Sequence, residues 1–406
     1  KAKLKKMRVL QLCHKPPLPA KDGGCIAMNN LTQGLLDAGH KVKILTIFTH
    51  KHDLILDELD PDYIQKTDIE GVHVDTRINF VDAFTAFMTN DSYHVNRFFS
   101  PDMDIKIDRL LRKHSFDVIH LESLFMTPYI GTIKRHSRAP IILRAHNIEY
   151  TIWEKIAIGT KNPIKKIYLN FLAKQLREYE LMMFNSVDGI ATISESDKIR
   201  MMQLGVRRPI KTIAFGIDLN LYHCQATAPE NENKLFHLGA MDWEPNVEGL
   251  MWFMDKVWPS IHQKFPHLTL HLAGRNMSDE FKAKSLPNVF IQGEVEDAIQ
   301  YIQDHDIMVV PILSGGGVRV KIIEGMALGK AIISSTIGAI GIEYKEKENI
   351  LIADTVLEWI QSIESLMEKP DKKVRIQNNA RQFAESHFDN KFITKELIQF
   401  YKEVQK

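Results

Sequence analysis

Short apolar runs alternate along the chain with stretches whose apolar positions recur every three or four residues, and the alternation occurs twice. The first set of runs is Arg8 to His14, Lys41 to Phe48, Val72 to Ile78, Asp117 to Leu121, Pro140 to Ala145, Gly189 to Ser194 and Ile210 to Phe215. Runs apolar throughout, rather than at alternate positions, suit strands of a parallel sheet covered on both faces. Met28 to Ala38 has helical spacing, with Leu31, Leu35 and Leu36 on one face and Gly39 as its stop. Periodicity fades from Asp218 to Asn233, where Asn, Pro and Glu gather, and this predicts a linker. A second set of strands follows at Leu235 to Gly239, Leu268 to Ala273, Val289 to Gln292, Ile307 to Leu313, Ala331 to Ser335 and Ile350 to Ala353. Helices are predicted at Pro245 to Trp258, Val295 to Gln303, Val318 to Leu328, Val356 to Met367 and Lys372 to Ser386. The fold class is therefore α/β, with two doubly wound domains. Such a pair makes a cleft where ligands meet the carboxyl ends of strands.

Length and composition agree with that division. A chain of 406 residues is long enough for two or three cores. Its 52 basic and 51 acidic side chains leave a net charge of +1, so no global field draws nucleic acid. The three cysteines, Cys13, Cys25 and Cys224, are too scattered for a disulfide framework or a zinc pattern. That usage suits a reducing cytoplasm. No apolar run approaches the ~18 residues that read as a membrane span. The start, Lys1 to Met7, is basic and lacks a signal-peptide core.

The densest chemistry lies between Pro311 and Ile333. There a buried strand leads through Gly315, Gly316, Gly317 and Val318 into an amphipathic helix. Glycines between a strand and a helix let backbone N–H groups converge on an anion, and the helix N-terminus adds partial positive charge. Arg319 and Lys321 fall in the predicted first turn, where a cation opposes the dipole and calls for a compensating anion. Glu324, a turn later, can accept hydrogen bonds from sugar hydroxyls. These groups suit a diphosphate carrying a ribose. Gly325 to Ala331 resembles a P-loop but is one spacer short, ends in Ala, and lies on a helix-to-strand turn. No G-x-G-x-x-G follows the first strand, which argues against a nicotinamide cofactor.

In order and spacing, these signals resemble the retaining glycosyltransferases of family 4, whose fold is GT-B. The resemblance rests on Gly23-Gly24 after the first strand, Gly39-His40-Lys41-Val42, Asp117-Val118-Ile119-His120 and His146-Asn147-Ile148-Glu149. It continues through Thr192 to Asp197, Gly216-Ile217-Asp218 and the 311–333 block. It implies two Rossmann-like domains facing each other across a cleft. Residues 1–218 plus 388–406 would form the acceptor-side domain, with Phe388 to Tyr401 as a terminal helix crossing back to it. Residues 219–387 would form the nucleotide-sugar domain. It also implies sugar transfer from a nucleotide-diphosphate donor to a glycan or lipid-linked acceptor, in cell-surface polysaccharide or glycoconjugate synthesis. No essential metal and no separate cofactor is implied.

Residue by residue, Glu324 matches the second glutamate of the family's pair, whose partner is the donor ribose. The first would fall at position 316, which is Gly316 here. The family's Arg and Lys after the first strand of the second domain are absent from Gly239 to Val247, and Arg319 and Lys321 supply that charge instead. His146 matches a histidine placed beside the donor sugar. Without the resemblance it would read as a core histidine. Gly23 and Gly24 would offer N–H groups to the same phosphate, with a flexible turn as the plain alternative. His120, Glu122 and Glu149 are weaker acceptor-side candidates, and His120 reads more readily as a buried structural histidine.

Asp102-Met103-Asp104 and Asp60-Pro61-Asp62 spell the metal-binding Asp-x-Asp, but neither follows a strand, and both read as solvated acids near helix starts. Trp153 to Glu180 reads as one long basic amphipathic helix. It suits an ordinary helix with a wet lysine face slightly better than peripheral contact with the inner face of an anionic membrane. Phe84, Phe87, Phe98 and Phe99 form an apolar cluster on the expected acceptor side. Two other functions share the sequence features: a nucleotide-sugar-binding partner subunit without catalysis, suggested by Gly316, and a GT-B-like nucleotide-sugar epimerase.

Overall fold

The computed structural model describes residues 6–20, 22–76, 93–224 and 234–405. Phe84, Phe87, the end of the Val72 to Ile78 run and most of the 218–233 linker lie outside them. The chain divides into two compact units, Lys1–Gly216 with Asn390–Lys406, and Ile217–Asp389.

Among the described residues, the first unit is built on seven parallel strands: β1 (Arg8–Cys13), β2 (Lys41–Phe48), β3 (Glu70–His73), β4 (Val118–Glu122), β5 (Ile141–Ala145), β6 (Gly189–Thr192) and β7 (Ile210–Thr212). Their order is β3-β2-β1-β4-β5-β6-β7, so the winding reverses between β1 and β4. In register, Cys13 lies beside Glu122, and Glu122 beside Arg144. Along β1, Val9 and Cys13 join one apolar layer while Leu10 and Leu12 join the layer on the opposite face, as a doubly covered sheet requires.

Around this sheet run α1 (Gly23–Asp37), α2 (Pro101–Lys113), α3 (Ile130–His136), α4 (Glu149–Gly159), α5 (Pro163–Ser186) and α6 (Glu195–Gln203). Helix α1 begins five residues before the expected Met28. Gly23 and Gly24 are its first turn rather than a loop, because the Asp22 carboxylate caps the Cys25 N–H at 2.9 Å. Asp102 and Asp104 do occupy the first turn of α2, and Asp60 caps a short helix at Pro61–Thr67.

The predicted single helix over Trp153 to Glu180 is two. Helix α4 ends at Gly159, and α5 restarts with Pro163 in its first turn. Asn162 caps the restart by accepting from the N–H groups of Ile164 and Lys165. Proline has no N–H to carry a helix through, but it is well placed at a helix start.

The second unit has, among the described residues, six parallel strands: β8 (Lys234–Leu238), β9 (Thr269–Ala273), β10 (Val289–Gly293), β11 (Ile307–Val310), β12 (Ala331–Ser334) and β13 (Leu351–Ile352). Their order is β10-β9-β8-β11-β12-β13, and the winding reverses between β8 and β11. Its helices include α7 (Glu244–Trp252), α8 (Val320–Ala327), α9 (Val356–Met367) and α10 (Pro370–His387). The predicted helix from Pro245 to Trp258 passes into a π turn at Phe253–Val257, and a new helix, Trp258–Lys264, follows. Pro259 cannot donate to the ladder at that point.

The last helix, α11 (Asn390–Val404), belongs to the first unit, where it packs on α1. Gly34 permits this approach, since a Cβ there would lie 2.0 Å from Thr394 Oγ1.

Candidate active site

In each unit the residues of interest gather where the winding reverses, at the carboxyl ends of the central strands. That is the position at which open α/β sheets hold ligands.

In the first unit the centre is Glu122, the last residue of β4, with a fully buried side chain. Its Oε1 accepts from Gln11 Nε2 at 3.0 Å, and its Oε2 lies 3.0 Å from His146 Nε2. His120 Nε2 stands 3.2 Å from Oε1, and Arg144 Nε 4.0 Å from Oε2. Burial pushes the Glu122 carboxyl up, but His120 and His146 outweigh it and hold the group well below the usual carboxylate range. Burial lowers His146, with the Glu122 hydrogen bond opposing it. The consistent assignment is an ionised Glu122 accepting from Nε2–H of a neutral His146, which leaves the Nδ1 lone pair uncommitted.

His14, next after β1, donates Nδ1–H to the Glu122 carbonyl at 2.8 Å, and its ring lies 6.3 Å from that of His146. Phe215 sits 6.1 Å from the His146 ring, with the Arg144 guanidinium over its face at 5.8 Å.

These contacts locate the three weaker candidates. Glu122 is fully buried against His146 rather than exposed at a surface. His120 is fully buried and bonded through Nδ1 to the Tyr401 hydroxyl at 2.6 Å, in keeping with the structural histidine that its sequence context favours. The third, Glu149, lies in the following helix. It opens α4, and its N–H donates to the buried Glu180 carboxyl at 2.9 Å. Phe98 and Phe99 also part company: Phe98 is buried and stacked on Phe125 at 4.5 Å, whereas Phe99 lines a cavity of about 570 Å³ with Pro128, Lys134, Tyr179 and Met183.

Gly24 makes room for a cation that the sequence reading overlooked. A Cβ there would meet Lys15 Nζ at 2.9 Å. Lys15 is paired with Asp22 at 2.7 Å, and His52 reaches the same carboxylate at 3.0 Å. Burial raises Asp22, but His52 and Lys15 prevail and hold it far below its ordinary value. With Cys25, Asp22 and His52 are the one group among the described residues with metal-ligand spacing, but Lys15 already neutralises its carboxylate.

In the second unit the loop after β11 is held open by left-handed backbone at Gly315 (φ +97°) and Gly317 (φ +85°), which other residues adopt at a cost. The Trp243 ring lies against Gly315, where a Cβ would come within 3.0 Å of it. Arg319 is the N-cap of α8, not a member of its first turn. Its guanidinium stacks 4.5 Å over Trp243, and Nη1 donates to the carbonyls of Gly316 and Gly317. Nε and Nη2 are buried without a partner, and burial lowers the group to about 10. Those two donors are open to an anionic partner, since buried polar groups are seldom left unpaired.

Lys321 does lie in the first turn. Its Nζ contacts His237 Nε2 at 3.0 Å and donates to Asn246 Oδ1 at 2.9 Å. His237 donates Nδ1–H to the Val309 carbonyl at 2.8 Å, so Nε2 is the acceptor. Neither partner is anionic, and burial lowers Lys321 to about 7. Glu324 is part-buried a turn later, accepting from the Tyr222 hydroxyl at 2.9 Å. Trp243 and Asn246 come from the Gly239 to Val247 segment, where the sequence lacks a cation. That segment holds the two cations rather than supplying them.

A model of the family 4 glycosyltransferases matches residues 23–221, and one of the glycosyl transferases group 1 matches residues 232–369. The chain belongs to the family 4 (group 1) glycosyltransferases. This glycosyltransferase is 25% identical over 394 residues to an uncharacterized 44.6 kDa protein in the cps region of Klebsiella pneumoniae, a match covering 92% of this chain and 95% of the relative. Among solved structures, sucrose-phosphate synthase from Thermosynechococcus elongatus aligns with a TM-score of 0.70 at 16% identity, over 98% of this chain and 99% of that one. Anabaena HepE in complex with UDP-glucose aligns with a TM-score of 0.65 at 15% identity, over 98% and 100%. Such neighbours establish the GT-B class of two Rossmann-like units.

Proposed function

We propose that the enzyme transfers a sugar, with retained anomeric configuration, from a nucleotide-diphosphate donor to a glycan or lipid-linked acceptor in cell-surface polysaccharide or glycoconjugate synthesis. The observation that carries the donor assignment is the buried guanidinium of Arg319, whose Nε and Nη2 have no partner among the described residues, two positions from a part-buried Lys321 whose hydrogen-bonding contacts, His237 and Asn246, are neutral. Departure of the nucleotide leaves charge on the diphosphate. Cations and N–H groups fixed in advance stabilise that charge as it develops. The loop of Gly315, Gly316, Gly317 and Val318 and the start of α8 supply the N–H groups. Glu324 is assigned to the ribose, with Tyr222 holding it.

In this reading His146 stands beside the donor sugar, and Glu122 fixes its tautomer from below. Gly23 and Gly24 serve the donor indirectly, by admitting Lys15 at the start of α1. The nucleotide-sugar complex of HepE and the cps-region location of the Klebsiella relative support the donor class and the pathway class. The scattered, unbridged cysteines fit a cytoplasmic setting.

The test is transfer assayed across a panel of nucleotide-sugars. Arg319→Ala and Lys321→Ala should each lower turnover by about 10²–10³ with unchanged thermal melting. Turnover should also survive EDTA, because protein cations supply the charge. Undiminished transfer by either variant would overturn the diphosphate assignment. An isomeric nucleotide-sugar as product would favour an epimerase, and donor binding without transfer a partner subunit. Activity lost in EDTA and restored by magnesium would end the metal-independent reading.

A further inference from the structure

The three most exposed large apolar side chains among the described residues lie within ten positions of one another. They are Ile158 (71%), Ile164 (79%) and Ile167 (72%), at the corner where α4 ends and α5 begins. Ile156 and Tyr168 add exposed apolar surface, and every residue from 161 to 168 is exposed. The opposite side of the corner is anchored by buried Tyr150, Ala157, Leu169 and Leu172. The isoleucines are therefore not core residues left over by a fraying helix.

Charge decides what would cover them. From Lys155 to Arg177 there are six basic residues and no acid, in a chain whose net charge is only +1. Lys161, Lys165 and Lys166 have no acidic partner among the described residues, although exposed acids pair with lysines elsewhere in both units. A second copy of the chain would bring six like charges against six. A protein partner is disfavoured because lysine is depleted from such interfaces. Isoleucine tips ringed by lysines fit a surface that is apolar inside and negatively charged at its face, with each lysine stem lying along the apolar zone and its ammonium at the headgroups.

We propose that the α4–α5 corner docks on an anionic lipid surface, inserting Ile158, Ile164 and Ile167 between headgroups that pair with Lys161, Lys165 and Lys166. Vesicle binding is read without turnover, so this docking and the transfer reaction can fail separately.

The test is cosedimentation of the full chain with phosphatidylcholine vesicles, with or without phosphatidylglycerol. Binding should require phosphatidylglycerol and weaken as salt rises. Replacing each lysine by alanine should weaken partition about fivefold. Replacing each isoleucine by serine should weaken it about tenfold. All variants should keep the wild-type thermal midpoint and nucleotide-sugar affinity, since none of these side chains lies in a core or at the donor groups. Absence of binding to anionic vesicles would overturn the proposal. So would binding that ignores both substitution sets. Self-association in sedimentation velocity, lost in the isoleucine variant while vesicle binding persists, would assign the patch to a second copy instead.

Discussion

Lys321 owes its behaviour to what surrounds it. His237 Nε2 and Asn246 Oδ1 orient the ammonium without neutralising it, and burial brings it to about 7. A diphosphate held there would restore the charged form. The lysine is protonated below about 7, so donor affinity should be greatest there and fall as pH rises through that value. Between pH 6 and 8 the loss should be about tenfold, with proton uptake on binding at the higher pH. A nucleotide-sugar diphosphate does not titrate near neutrality, so calorimetry in buffers of different ionisation enthalpy reads the lysine directly. Lys321→Met should bind weakly at both pH values, and a pH dependence surviving in that variant would place the titrating group elsewhere. The cation itself was legible in the sequence, because strand, glycine run and helix start are local signals. Its neutral holders were not, because they lie 84 and 75 residues away.

At the scale of elements, helix α4 begins without a side-chain cap from its own N-cap residue, Ile148. The cap comes from α5: Glu180 accepts from the N–H groups of Glu149 and Tyr150 at 2.9 and 3.1 Å. Burial, reinforced by Glu149, raises the Glu180 carboxyl to about 8 from the 4.5 expected of a free group. Folded protein therefore holds a proton that unfolded protein releases between those values, and stability should fall as pH rises through that window. Glu180→Gln keeps an acceptor and removes the titration. The variant should melt close to wild type at pH 5 and above it at pH 9. Parallel loss of stability in both proteins would show that another group is responsible. Sequence periodicity missed this arrangement and joined α4 to α5, because the three polar residues Thr160 to Asn162 fit a solvent-facing turn of helix as well as a break, and Pro163 marks a start rather than a stop.

For the molecule as a whole, the chain's final helix completes the unit in which the chain began. Helix α11 buries Ile393, Leu397, Ile398, Phe400 and Tyr401 against residues of β1, β2 and α1, and Tyr401 bonds His120 beneath Glu122. Five such side chains contribute on the order of 10 kcal/mol at about 1.5–3 each, which is comparable to the stability of an entire domain. A chain ending at Asp389 should thus fail to fold its first unit and lose transfer altogether. Tyr401→Phe should cost only about 1–3 kcal/mol, by leaving His120 Nδ1 unpaired. Circular dichroism melts read both, and a truncated chain that melts like wild type would refute the assignment. The sequence alone determined two wound α/β series, the glycine loop between β11 and α8, and the cations beside it, because periodicity, glycine and charge act over a few residues. Only the tertiary structure decided that Glu122 supports His146, that Trp243 and Asn246 hold Arg319 and Lys321, and that Tyr401 meets His120 across 281 positions. Burial turns those polar groups into obligate pairs, and which partner each finds depends on strand order and register, which no local pattern records.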